Sequence, residues 1–249
     1  MDLRRPSPLL ALVLGVTLLA GCTKEAPRRR VAPAPRPAAT TTAPAPVPGG
    51  VVSAVATALG PSVTVYDVPL DGLPVRVLPN PQPDRSTLVL LIEEQRPDWY
   101  RVLLPVRPNG VTGWVKAAEV RVATHNFRIE VVLSAHKLTV WKGSQIFLED
   151  TVAVGAPATP TTVGRFYTTA LFDTSATQPV YGPYAYPLSG WSEVLFDFDG
   201  GEGQMGIHGT NDPSSLGRSV SNGCIRMSNG AITRLAQALP VGVPVTIRP

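Results

Sequence analysis

The stretch "IHGTNDPSSLGRSVSNGCIRMS", Ile207 to Ser228, holds one of the chain's two cysteines and one of its three histidines. A lone thiol in a β-rich protein is usually inert packing. A catalytic thiol needs more, because a free cysteine has a pKa of about 8.5 and is mostly protonated at neutral pH. It requires a base or a positive neighbour, and backbone donors aimed at the oxyanion of a tetrahedral intermediate. This stretch carries those ingredients. His208 follows "QMGI", which reads as a strand ending in "HGT". Gly223, lacking a Cβ, lets the chain turn sharply beside Cys224 and a substrate come close. Arg226 shares the strand face of Cys224 if the chain is extended there. It can hold the thiol's surroundings positive or bind a carboxylate.

The second cysteine does not offer itself as a disulfide partner. "MDLRRPSP" is a positive leader, and "LLALVLGVTLLAG" is an apolar run shorter than the ~20 residues that a membrane-spanning helix needs. Together they fit a secretory signal. The run ends in "LAGC", Leu19 to Cys22, which resembles the bacterial lipoprotein box. That resemblance implies a signal peptide over residues 1–22 and a diacylated Cys22 as the first mature residue. The expected location is the bacterial cell envelope, with the chain lipid-anchored to a membrane. An acylated Cys22 leaves Cys224 without an intramolecular partner even in an oxidising compartment.

Charge and proline are both uneven. Residues 1–50 carry seven basic and two acidic side chains, leaving fifteen basic and sixteen acidic for the rest. The pI of 9.3 therefore belongs to the tail, and a body with no basic stripe argues against nucleic acid as a partner. Residues 23–60 read as a Pro/Ala/Thr-rich tether, within which "VVSAVATALG" (51–60) is ambiguous and can cap the next domain.

Residues 61–123 read as short strands: "SVTVYD", "TLVLLIEE", "WYRVLLPV" and "TGWVKAAEV". "RPNG", Arg107 to Gly110, reads as a hairpin turn in which Asn and Gly supply positive φ. Trp99 and Trp114 are core residues or part of a ligand groove. The "VYDVPLDGLPVRVLPNP" opening and the "GWV" close resemble bacterial SH3-like domains, which implies a small barrel.

Residues 124–249 form a second strand-rich unit. A hairpin is predicted over Arg128–Trp141 with its tip at Ala135-His136. A helix is predicted near the end, where Ile232, Leu235, Ala236 and Leu239 share a face behind Ser228 or Asn229 as N-cap. His125 and His136 read as solvated. The acidic "FDFDGGEG", Phe196 to Gly203, lacks the spacing of a calcium loop and reads as a surface loop near the rim of the site. "PVYGPYAYPLSGW", Pro179 to Trp191, is a lid, a groove wall or ordinary packing.

Ile207-His208-Gly209-Thr210 followed by Ser221-Asn222-Gly223-Cys224-Ile225-Arg226 resembles the signature of L,D-transpeptidase (YkuD-type) catalytic domains. Fifteen residues lie between His208 and Cys224, and the resemblance extends over roughly residues 126–249. It implies a mainly β fold, an SH3-like barrel followed by a β-rich catalytic domain with one or two short helices. It also implies peptidoglycan stem peptides as partners. Cys224 would attack a tetrapeptide stem, release D-alanine and pass the acyl group to an amine, making a 3→3 cross-link. His208 would be general base and acid, oriented by the backbone carbonyl of Gly209. N–H groups of Gly223 and Cys224 would form the oxyanion hole, and Arg226 would support the pocket. No metal or organic cofactor is called for, and carbapenems would acylate Cys224. Thr210, Ser221 and Asn222 complete the motif. Many members have His where this chain has Asn222, which cannot titrate. Two alternatives stay open: an L,D-carboxypeptidase or other hydrolase, such as an amidase that cuts a protein–wall link, working through the same thioester, and a non-catalytic wall-binding lipoprotein.

Overall fold

The computed structural model describes residues 52–197 and 201–249. The signal segment, Cys22, most of the tether and Phe198 to Gly200 of the acidic stretch lie outside the described residues. The chain is mainly β. Its strands are β1 (Ser53–Ala58), β2 (Ser62–Tyr66), β3 (Pro74–Pro79), β4 (Val89–Arg96), β5 (Trp99–Leu103), β6 (Thr112–Lys116), β7 (Val120–His125), β8 (Phe127–Val132) and β9 (Lys137–Lys142). They continue as β10 (Gln145–Thr151), β11 (Val154–Gly155), β12 (Gly164–Tyr167), β13 (Phe172–Asp173), β14 (Tyr184–Trp191), β15 (Gln204–His208), β16 (Ser219–Ser221), β17 (Ile225–Arg226) and β18 (Pro244–Arg248). Among the described residues one α-helix, α1, spans Asn229–Ala238.

The first seven strands make one antiparallel sheet in the order β3-β2-β6-β5-β4-β1-β7. Its core joins Ala56, Val63, Val65, Leu90, Val102 and Val115, all buried. Here the tether boundary moves. β1 lies within residues 51–60 and pairs on both sides, with β4 and with β7. Alternating small residues, with Ala54, Ala56 and Ala58 buried, let it sit between two neighbours although it lacks the large apolar residues that mark a strand. Trp99 and Trp114 are buried too, under Lys116 and Arg96 respectively, and so belong to the packing.

The "RPNG" turn also differs from expectation. Gly110 alone takes positive φ, at 82°. Asn109 serves instead through its side chain, which donates to the Trp191 carbonyl at 2.8 Å and accepts from the Trp191 N–H at 2.9 Å. A carboxamide has one donor and one acceptor side by side, so it pairs with a strand's backbone as another strand would.

The second unit packs a five-stranded sheet, β10-β9-β8-β18-β12, and a four-stranded sheet, β13-β14-β15-β17, around a common core with α1. Ile129, Val140, Tyr186, Ile207, Ile225 and Ile232 all enter that core. The β8–β9 hairpin turns where expected, with His136 at φ 47°. α1 starts as predicted, because the Ser228 hydroxyl accepts from the Ala231 N–H at 3.3 Å. His125 is not solvated: it is partly buried, its Nδ1 accepts from the Phe127 N–H, and burial lowers its pKa. The two units touch through Tyr167, which is buried against Leu91 and Leu103 and donates its hydroxyl to the Val89 carbonyl at 3.1 Å.

Candidate active site

The site is built on two neighbouring parallel strands. β15 and β17 pair with Ile207 opposite Ile225 and His208 opposite Arg226. Side chains alternate along a strand. Ile207 and Ile225 therefore enter the core, while Gly206, His208, Cys224 and Arg226 share the opposite face. This register sets Cys224 across from Gly206, where no side chain intervenes. The sequence separates His208 and Cys224 by a long connection, and the parallel pairing closes it.

A cavity of about 400 Å³ covers this face. His208 and Cys224 both line it, with Asp173, Gln178, Tyr181 and Gln204 among its walls. The His208 Nδ1 lies 2.6 Å from the Gly209 carbonyl oxygen. A carbonyl only accepts, so Nδ1 carries the proton and Nε2 is left with its lone pair. The Tyr181 ring stands edge-on to the imidazole with centroids 4.8 Å apart.

The turn that carries the thiol is held by Ser221. Its hydroxyl donates to the Cys224 carbonyl at 2.6 Å and accepts from the Gly223 N–H at 3.2 Å. Gly223 sits at φ 108°, a conformation that favours glycine. Of the two N–H groups expected at the oxyanion position, that of Gly223 is thus already engaged by the turn, and that of Cys224 is not part of the Ser221 bonds. Thr210 fixes the other side, since its N–H donates to the Asn229 Oδ1 at 2.8 Å. Asn222 is exposed and stands outside the cavity wall. Arg226 is half-buried, with its Nε buried and unpaired, and it too lies off the cavity lining.

The surroundings of His208 and Cys224 favour the neutral form of each. Burial is the main cause for His208, helped by the Arg226 charge and opposed by the Gly209 carbonyl, and its pKa falls to about 4. Burial pushes the Cys224 thiol up, while a backbone hydrogen bond from Gly206 and the Arg226 charge pull it partly back. Arg226 therefore favours thiolate and disfavours imidazolium.

Sequence reasoning missed Tyr181, Gly182 and Asn229. Tyr181 and Gly182 lie in the aromatic stretch Pro179–Trp191, whose composition marked the region and not the residue. Gly182 has φ 67°, and a Cβ there would stand 2.7 Å from both the Gly209 Cα and the Thr210 N, and against the Asn229 Oδ1. Gly182→Ala should displace the turn that orients His208. The expected results are a fall of about 2 kcal/mol in unfolding free energy and a kcat/KM lower by roughly tenfold or more. Thermal unfolding and the rate of Cys224 acylation check the two parts.

Residues 126–247 match the YkuD family, the L,D-transpeptidase catalytic domain. The matched segment takes in β15, which ends in His208, and the turn before β17 that carries Cys224. YkuD of Bacillus subtilis (strain 168) is 35% identical over 122 residues, covering 49% of this chain and 65% of that protein. YkuD of Bacillus licheniformis is 34% identical over 125 residues, covering 49% and 66%. The chain thus spans a little under two thirds of the length of these two relatives. Among solved structures, an L,D-transpeptidase from Mycobacterium tuberculosis H37Rv aligns with a TM-score of 0.41 at 16% identity, covering 80% of each chain. The match to the YkuD domain begins at Asn126, one residue after β7, so the seven-stranded sheet lies before it.

Proposed function

We propose that this protein is a peptidoglycan L,D-transpeptidase acting by acyl transfer through Cys224. The observation that carries the reading is the single cavity lined by both His208 and Cys224, on a YkuD-type domain. The neutral thiol gives its proton to His208 Nε2 as sulfur attacks the carbonyl of the donor stem's third residue. The carbonyl electrons move to oxygen, where the Cys224 N–H donates to the oxyanion. The C–N bond to D-alanine breaks, and the imidazolium returns its proton to the leaving amine. A second amine then adds to the thioester, its proton passes to His208, and the thiolate leaves and is reprotonated. Gly209 holds the imidazole in the tautomer this sequence needs, and Arg226 stabilises the thiolate from behind the cavity wall.

Around this chemistry the remaining features form a consistent envelope protein. Cys22 is the lipid anchor, residues 23 to about 50 are the tether, and the seven-stranded sheet is an SH3-like module carried between tether and enzyme. Carbapenems, which present a strained carbonyl, acylate Cys224. The test is incubation with a tetrapeptide stem followed by mass spectrometry. Cross-linked dimers with loss of D-alanine are expected. Shortened monomers alone would mean that water resolves the thioester, and an unchanged stem would sink the enzymatic reading.

A further inference from the structure

A second cavity, of about 530 Å³, adjoins the first. Gln178, Tyr181 and Gln204 line both, so the two share a wall. Tyr181 in that wall touches His208, which sets the second cavity one side chain away from the base. Its far side comes from the seven-stranded sheet, through Gln82 and Asp84 in the connection from β3 to β4. Glu202, in the connection from β14 to β15, is the other carboxylate of its lining, and no Lys, Arg or His joins them.

The wall is fixed in place by the first unit. Arg107 donates to the carbonyls of Ser192 at 2.6 Å, Leu195 at 3.0 Å and Glu202 at 2.7 Å. Its guanidinium also stacks over Trp191 and Phe196, with centroid distances of 5.5 and 4.6 Å. A planar fork with five donors is suited to gathering several carbonyls at once. Asn109 adds its two bonds to Trp191. On the opposite rim, Asp84 Oδ1 accepts from the Ser86 N–H at 2.9 Å and the Ser86 hydroxyl at 2.6 Å, which orients the carboxylate.

The geometry points to the second cavity as the subsite for the amine-bearing second substrate, so that the seven-stranded unit builds part of the acceptor site. This rests on the acyl-transfer reading above. A thioester on Cys224 occupies the first cavity, and the incoming amine must reach it beside His208, which takes its proton. A pre-formed acidic space one side chain from the base suits the part of a peptide that carries an ammonium group. Pre-organised walls also reduce the ordering cost of binding.

The test follows the two half-reactions on the full chain. Acylation is read as the mass shift of the protein with a carbapenem or a donor stem. Aminolysis is read against the concentration of a tripeptide with a free side-chain amine, with its Nε-acetylated form as competitor. The Asp84→Asn/Glu202→Gln double variant is expected to raise the KM for the amine about tenfold, with acylation within about twofold of wild type. Thr87→Trp, which fills the cavity from its exposed rim, should do the same without a charge change. The acetylated peptide should compete poorly. An acceptor KM within twofold of wild type in both variants, or equal competition by the acetylated peptide, overturns the subsite while the acyl-transfer reading stands. A wild-type protein that forms no adduct overturns both.

Discussion

Cys224→Ala should abolish covalent adduct formation with a carbapenem and lower transfer to the stem amine by on the order of 10⁴ or more. The size follows from what is removed. No other described cysteine is present, and water or a serine would face a base whose pKa is about 4. Such a base can take a proton from a thiol in the course of attack, but it is too weak for an alcohol. Cys224→Ser should therefore recover almost nothing. The fold should be indifferent to the change. The Ser221 bonds that shape the turn run to the Cys224 carbonyl and the Gly223 N–H, which alanine keeps. An unfolding midpoint within about 2 °C of wild type is expected. Cys22→Ala supplies the contrast, since it should leave the adduct intact. An adduct that persists on the Cys224→Ala protein would overturn the assignment.

What the sequence made legible is what local chemistry encodes. The helix was readable because Ser228 caps it and Ile232, Leu235 and Leu239 recur at helical spacing. The β8–β9 hairpin was readable from two apolar runs around a short tip. His208 and Cys224 were readable because their immediate neighbours, Gly209 and Gly223, are there for backbone reasons that leave a motif. The parts that escaped depend on partners far along the chain. β3 has only Leu78 buried and proline at both ends, so it lacks the alternation of a half-buried strand and sits on the sheet edge, where proline is tolerated. Asn109 looked like a turn residue because its pairing with Trp191 lies across 82 positions. Tyr181 gave no periodic signal, and only the fold of the β13–β14 connection brings it against His208. Arg107 reads locally as the first residue of a turn, and nothing in that motif announces the carbonyl contacts by which it sets the wall of a cavity.

The pH dependence should distinguish a neutral pair from a thiolate–imidazolium pair. With His208 neutral down to about pH 4, acylation should lose its rate near that value and not near 6.5. The Cys224 thiol, raised by burial, should react slowly with a small alkylating agent at pH 5 to 6, where an ion pair would react fast. Stability reports the same group independently. His208 binds a proton at about pH 6.5 in the unfolded chain and only near pH 4 in the folded one. The unfolded state therefore takes up more protons between those values. Its share of stability is complete above about pH 6.5 and is lost as pH falls towards 4, by about 3 kcal/mol. His125, also lowered by burial, adds to the decline in the same direction. The difference between wild type and His208→Gln isolates the contribution of His208. That variant should lose its portion of the slope and about 10³-fold of the acylation rate. Arg226→Gln removes a charge that depresses both groups, so the acid limb should move up in pH while the thiol becomes still harder to ionise. An acid limb at pH 6 to 7 in the wild type would mean that His208 is solvated, and the neutral-pair mechanism would fall with it.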